Sequence, residues 1–254
     1  MSESRDVRVL YQFPISHYCE KARWILDAKG LAYRTRNLPP GVHAPYLRRL
    51  ARVTTVPVLL DRGRVVPDST NIALHLDATY AERPLLPADS AERARVLEIE
   101  EWLDRDAGPA IRRYIYGELM RDPGGAARAF WGKYPAWART VGQWAGVAFE
   151  RVLRRQLRID EDALRQDRAT IVACFDRLDA ILDGDPNRML VGPSLTLADI
   201  TAASLLGPML LPPESPWADA SVAAPPVLAE LRESIAQRVS GRWVLARYRA
   251  DRRA

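Results

Sequence analysis

The residue types best suited to chemistry fall into three short segments near the start of the chain. Ser16-His17-Tyr18-Cys19 lies where an apolar run gives way to helical spacing. A helix N-terminus presents unpaired N–H groups and a partial positive charge, so a thiolate placed there is stabilised and its pKa falls. Ser16 adds a hydroxyl that can donate to such a sulfur. It is also a preferred N-cap, a role that needs no ligand. Thr55-Val56-Pro57-Val58 puts a proline at the start of a strand pattern. A cis Val56–Pro57 bond would turn the Val56 N–H and C=O toward an extended peptide. An ordinary trans proline opening a strand is the simpler alternative. Pro67-Asp68-Ser69-Thr70 opens a further helical pattern. Its backbone donors can hold a ligand carboxylate and Asp68 can accept from an ammonium, or the segment can serve as a cap.

The elements that must position these segments follow from periodicity. Val7–Phe13 reads as a strand, and His17–Lys29 as a helix with Ala22, Ile25, Leu26 and Ala28 near one face, closed by Gly30. Leu31–Asn37 reads as a second strand and Ala44–Ala51 as a short helix. Val56–Leu60 and Arg64–Val66 flank Asp61-Arg62-Gly63, a hairpin turn signal. Ser69–Tyr80 returns to helical spacing. The order β-α-β-α-β-β-α implies a partly parallel sheet with an antiparallel hairpin at its edge. Pro84-Leu-Leu-Pro87 is a stiff connector, and strand signals then nearly vanish. Asp89 and Glu92 suggest a capping box for a helix to about Asp106. Further helical patterns run over about 110–121, 126–152, 160–183, 196–206 and 226–238. The expected organisation is an α/β domain over 1–83, a linker over 84–88 and an all-helical domain over 89–254.

Composition narrows the function classes. The chain has 254 residues, 48% hydrophobic and 27% charged, which excludes disordered and collagen-like classes. No apolar run reaches the ~20 residues of a membrane span, and the N-terminal residues lack the apolar region of a secretory signal, so a cytoplasmic protein is expected. Cys19 and Cys174 are expected as free thiols, and two Cys with three His, none at ligand spacing, give no metal site. The net charge of +5 does not indicate nucleic acid: residues 1–88 hold 13 basic and 8 acidic side chains and the remainder 24 of each. A basic first third suits a small anionic ligand. His17 reads as a solvated first-turn residue, His75 has no evident partner, and Arg151, Arg154, Arg155 and Arg158 read as a solvated helix face.

Taken together, these segments resemble the glutathione S-transferase superfamily. SHYCEKARW is similar to its active-site segment, TTVPVLLDRGRVVPDSTNIALHL to its glutathione-binding segment, and SLTLADITAAS, through Thr196 and Asp199, to the N-capping box of its helical domain. The resemblance implies a thioredoxin-like N-terminal domain followed by an all-helical C-terminal domain. It also implies glutathione as co-substrate without a metal, a hydrophobic electrophile as second substrate, and a homodimer. By the same resemblance Ser16 stabilises the glutathione thiolate, Val56 pairs with the cysteinyl backbone, Pro57 is the cis-proline, and Asp68 and Ser69 grip the γ-glutamyl end. Gln12 stands where other members carry a tyrosine, and Thr55 where many carry a lysine. Cys19 stands where redox members carry the second cysteine of a pair, and is expected to face the core. Tyr114, Tyr116 and Trp131 are candidates for the electrophile pocket, and 122–165 exceeds the usual length. The alternatives within this resemblance are a glutathione-dependent isomerase, dehalogenase or lyase, and a non-catalytic binding or scaffold protein.

Overall fold

The computed structural model describes residues 8–218 and 224–252; Val7, placed in the first strand by its pattern, lies outside them. Four strands form one sheet: β1 (Arg8–Gln12), β2 (Tyr33–Asn37), β3 (Val58–Asp61) and β4 (Arg64–Pro67), in the order β2-β1-β3-β4. β1 pairs parallel with β2, Leu10 opposite Thr35, and antiparallel with β3, Leu10 opposite Leu59. The period-two alternation of a strand explains the layers. Leu10 and Leu59 pack with α1 (His17–Ala28) and α3 (Ser69–Thr79), while Tyr11 and Val58 face the other way with Leu47 of α2 (His43–Ala51). Arg62 and Gly63 both have positive φ, 49° and 83°, the backbone that a two-residue turn between twisted strands requires.

α1 is closed by a glycine just beyond its end. Gly30 has φ 67°, its N–H donates to the Asp27 carbonyl, and the Leu31 N–H donates to that of Leu26. His75, without an evident partner in the sequence, has one: its Nε2 lies 2.8 Å from Asp61 Oδ2. Tyr80 donates to the same carboxylate and Arg8 sits 2.9 Å from it, so a buried polar cluster closes the hairpin onto α3.

The rest of the described chain is helical: α4 (Ser90–Trp102), α5 (Gly108–Leu119), α6 (Gly125–Trp131), α7 (Ala136–Trp144), α8 (Gly146–Leu157), α9 (Glu161–Leu182), α10 (Leu197–Leu206), α11 (Pro226–Ala236) and α12 (Val239–Asp251). The architecture is therefore a thioredoxin-like domain followed by an all-helical one. α4 and α5 are joined by a π-helical turn, Leu103–Ala107, rather than separated near Asp106. Pro109 has no N–H to offer the preceding turn, and the widened turn accommodates its ring. The single helix expected over 126–152 is three, broken around Pro135 and at Ala145, and α12 was not anticipated. All ten residues of α10 are buried. At its start the Thr196 N–H and hydroxyl both donate to the Asp199 carboxylate, at 2.8 and 2.7 Å, the expected capping pair. Arg151, Arg154, Arg155 and Arg158 are exposed. Both cysteines are free and buried.

α1 is also the joint between the domains. Lys21, fully buried, donates to Glu100 of α4, to Thr70 Oγ1 at 3.1 Å and to Asp104 at 3.3 Å. Arg252, after α12, pairs with Glu20 at 2.7 Å and Asp27 at 2.6 Å. Among the described residues no helix is long and apolar enough to cross a membrane.

Candidate active site

β1 ends at Gln12 and a tight turn leads into α1, with the Ser16 N–H donating to the Phe13 carbonyl at 3.2 Å. Ser16 is the N-cap, and its side-chain oxygen accepts from the Cys19 N–H at 3.3 Å. The capping role is therefore filled, and it occupies only a lone pair: the hydroxyl proton can still be given to an acceptor. Cys19 faces the core as expected. Burial pushes its thiol up, with Arg23 and the Ser16 hydroxyl acting the other way. Gln12 is tied into the scaffold, its amide donating to Asn37 and its oxygen accepting from Arg23. The turn is pinned from far along the chain, where the Trp217 indole N–H donates to the Ile15 carbonyl at 2.7 Å.

The Val56–Pro57 bond is cis. Neither the N–H nor the C=O of Val56 has a hydrogen-bond partner among the described residues. The Pro57 carbonyl accepts from the Asp68 N–H at 3.1 Å, which holds the start of α3 against this turn. Asp68 has φ 75°, and its carboxylate caps α3 by accepting from Thr70 and Asn71 at 2.9 and 3.1 Å. Ser69 is buried, with no partner for its hydroxyl among the described residues.

A cavity of about 190 Å³ opens between the two domains, with Ser16 and Val56 on one side and Tyr116 on the other. Of the residues singled out by sequence, these three line it. Pro57, Asp68 and Ser69 continue from Val56 beside it. Tyr114 does not reach it: two residues from Tyr116 is about 200° around a helix, and Tyr114 is buried in the helical core near Glu118 and Arg168. Trp131 sits behind the lining, against Phe130 and Tyr134.

The lining also contains residues that the sequence did not single out. His17 is buried, not solvated. Its ring packs against that of Tyr18, tilted by 35° with 4.5 Å between centroids, and its pKa is lowered to about 3, chiefly by burial and then by the Arg112 charge. The Tyr18 hydroxyl donates to the Asp104 carbonyl at 3.2 Å in the π-helical turn and presses on Gly108, where a Cβ would fall 2.2 Å away. Arg112 stands one turn before Tyr116 on α5. Burial raises the Tyr116 phenol, with Arg112 opposing. Phe130 and Phe149, from the long segment 122–165, complete the apolar wall. Phe13 meets Phe130 edge-on at 5.1 Å, and the Tyr134 hydroxyl donates to the Leu38 carbonyl at 2.8 Å, so this segment roofs the cavity. Its other tryptophans, Trp137 and Trp144, are 67% and 89% exposed. The i, i+4 spacing of Arg112 and Tyr116 was the available signal; the burial of His17 comes from α5, and no local pattern announces it.

Among the described residues no group of three or more His, Cys, Asp or Glu side chains is arranged to hold a metal ion. The Val56 backbone is free to pair with an extended peptide, and Ser16 with the α1 N-terminus can stabilise a negative charge beside it. An apolar reactant would fit against the opposite wall.

The glutathione S-transferase N-terminal domain family matches residues 10–84. The chain is 32% identical over 112 residues to a stringent starvation protein A homolog of Pasteurella multocida, covering 44% of this chain and 53% of that one. It thus spans about half the length of that relative. It is 24% identical over 216 residues to FtsZ-localized protein A of Caulobacter vibrioides, covering 84% and 81%. Among solved structures, a glutathione S-transferase from Rhodospirillum rubrum F11 is 25% identical with a TM-score of 0.57, covering 94% of this chain and 92% of that one. Residues 10–84 match the glutathione S-transferase N-terminal domain family, and over most of its length the chain has the fold of solved glutathione S-transferases.

Proposed function

We propose that the protein is a glutathione-dependent transferase of the serine type. The Val56 backbone pairs with the cysteinyl unit of glutathione, and Pro57 fixes that edge. Asp68 and Ser69 hold the γ-glutamyl end, the acid taking its ammonium and the free hydroxyl its carboxylate. Ser16 donates to the sulfur, which lies at the positive end of α1. The thiol gives its proton to solvent, and the ionised sulfur forms a bond to an electrophilic carbon held against Tyr116, Phe130 and Phe149 while the leaving group departs from that carbon with its bonding pair. The observation that carries this reading is the meeting in one cavity of the Ser16-headed helix and the unpartnered Val56 backbone. A thiol whose pKa falls by about two units from 8.5 goes from a few per cent ionised at pH 7 to a majority. Calorimetry should detect glutathione binding. Ser16→Ala should raise the bound thiol's pKa and slow conjugation, and unchanged titration and rate would refute the mechanism.

Thr55 in place of a lysine, and the likeness to a starvation protein and to FtsZ-localized protein A, favour a second reading: a binding or scaffold member that has lost glutathione. No heat with glutathione and no retention on glutathione resin would select it. Under either reading the protein pairs with a second copy in solution, which sedimentation measures.

A further inference from the structure

The cavity wall on the helical side holds hydrogen-bonding capacity that the fold does not use. Arg112 makes no hydrogen bond or ion pair to any described residue, and its Nε is buried. His17 Nε2, on the same wall, is buried without a partner among the described residues, and its ring is held neutral by burial. Buried polar groups in folded proteins are nearly always satisfied, so the unused donors of Arg112 point to an acceptor supplied from outside the chain. Among the described residues no Asp or Glu lines the cavity, which leaves Arg112 as the fixed charge amid mostly aromatic and aliphatic side chains.

A smaller cavity of about 80 Å³ backs onto the same wall, and His17, Arg112 and Tyr116 line both. Ile111, Ile115 and Leu119 line only the smaller one, and Val56 only the larger. Arg112 therefore lies on the wall shared by two largely apolar compartments, only the larger of which reaches Val56. A guanidinium in such a place matches the planar, bidentate geometry of a carboxylate.

Resting on the reading of this cleft as the second-substrate site, we infer that the electrophile carries a carboxylate or an equivalent oxyanion on an apolar or aromatic body, and that Arg112 selects it. The apolar body fills the space between Tyr116 and Phe130, and the anion sits on Arg112 within reach of His17. The usual description of such a pocket as purely hydrophobic would not need this charge. Leaving Arg112 beside a neutral ligand would forgo a charge-assisted hydrogen bond worth about tenfold or more in affinity.

The test uses the full chain with two probes of one shape, 4-phenylbutyrate and 4-phenylbutanamide, titrated calorimetrically with and without glutathione. The wild type should bind the acid about tenfold or more tightly than the amide. Raising salt from about 20 to about 300 mM should weaken the acid and spare the amide. Arg112→Gln should bring the two probes to within about twofold, and Arg112→Lys, which keeps the charge, should retain part of the preference. Equal affinities in the wild type, no binding of the acid, or a preference that survives Arg112→Gln would each overturn the inference. So would an Arg112→Gln variant that keeps the preference and instead loses glutathione, which would place the guanidinium on the tripeptide. Absence of glutathione binding in the wild type would sink the transferase reading alone, since the preference is also read on the glutathione-free protein.

Discussion

His17 supplies a test of the cavity wall that needs no ligand. It is held neutral by burial, and Arg112 and Lys21 act on it in the same direction while the Gly108 backbone opposes them. In the unfolded chain it titrates near 6.5, in the fold at about 3. Between those values the unfolded state binds a proton that the native state does not, so stability falls as pH drops through this window. At pH 7 the difference is about 0.2 kcal/mol and at pH 5 about 2 kcal/mol, so about 2 kcal/mol is lost over the interval. His17→Phe keeps an aromatic ring against Tyr18 and removes the titration. Wild type and variant should be unfolded in urea at pH 7 and pH 5 at constant ionic strength, with tryptophan fluorescence as readout. Other groups titrate alike in both proteins and cancel in the difference. The stability gap should move by about 2 kcal/mol in favour of the variant on acidification, a midpoint change of about 0.7 M at an m-value of about 3 kcal/mol/M. A gap constant within about 0.5 kcal/mol would mean that His17 is hydrated or ion-paired in solution, and the wall described here would be wrong.

Three further outcomes are expected. Lys21→Met leaves Glu100 buried without its cation and should cost about 3–5 kcal/mol in urea unfolding, whereas Lys21→Met with Glu100→Gln should recover more than half of that. Gly108→Ala would drive a Cβ into the Tyr18 hydroxyl and should lower stability by about 1–3 kcal/mol, read as a fall in thermal midpoint that Tyr18→Phe partly reverses. Glu150 accepts from the N–H groups of Gly124, Ala126 and Ala127 and so caps α6. Glu150→Ala should cost about 1–2 kcal/mol and reduce the far-ultraviolet helical signal, and an unchanged midpoint would show that the cap contributes nothing.

The first eighty residues were legible because their signals are local. Alternation in Val58–Leu59, the Arg62-Gly63 turn and Gly30 after α1 each specify a backbone geometry within a few positions. Ser16, Val56 and Tyr116 do line one cavity, and the cis Val56–Pro57 bond is present. What the sequence concealed depends on partners far away. His17 reads as a solvated residue until α5 is laid over it. His75 finds Asp61 only when the hairpin folds back. Tyr114 and Tyr116 are equivalent in a list of aromatics, and only the angle between them on α5 separates core from cavity. α12 is weakly marked in the sequence because its buried apolar residues, Trp243, Val244 and Tyr248, share their face with Ser240, Gly241 and Arg247. The break of 126–152 at Pro135 follows a rule of local chemistry, because proline offers no N–H to the preceding turn.

The many moorings of α1 bear on how this chain can be rebuilt. The helix that Ser16 caps is fastened by Glu100 and Asp104, by Trp217 through Ile15, and by Arg252, the last described residue. Grafting the first domain onto another family member's helices at the proline connector would sever all of these at once. Recombination here is therefore confined to exchanges that carry both halves together, and a donor for domain shuffling must bring its own acid, indole and guanidinium to the same three places.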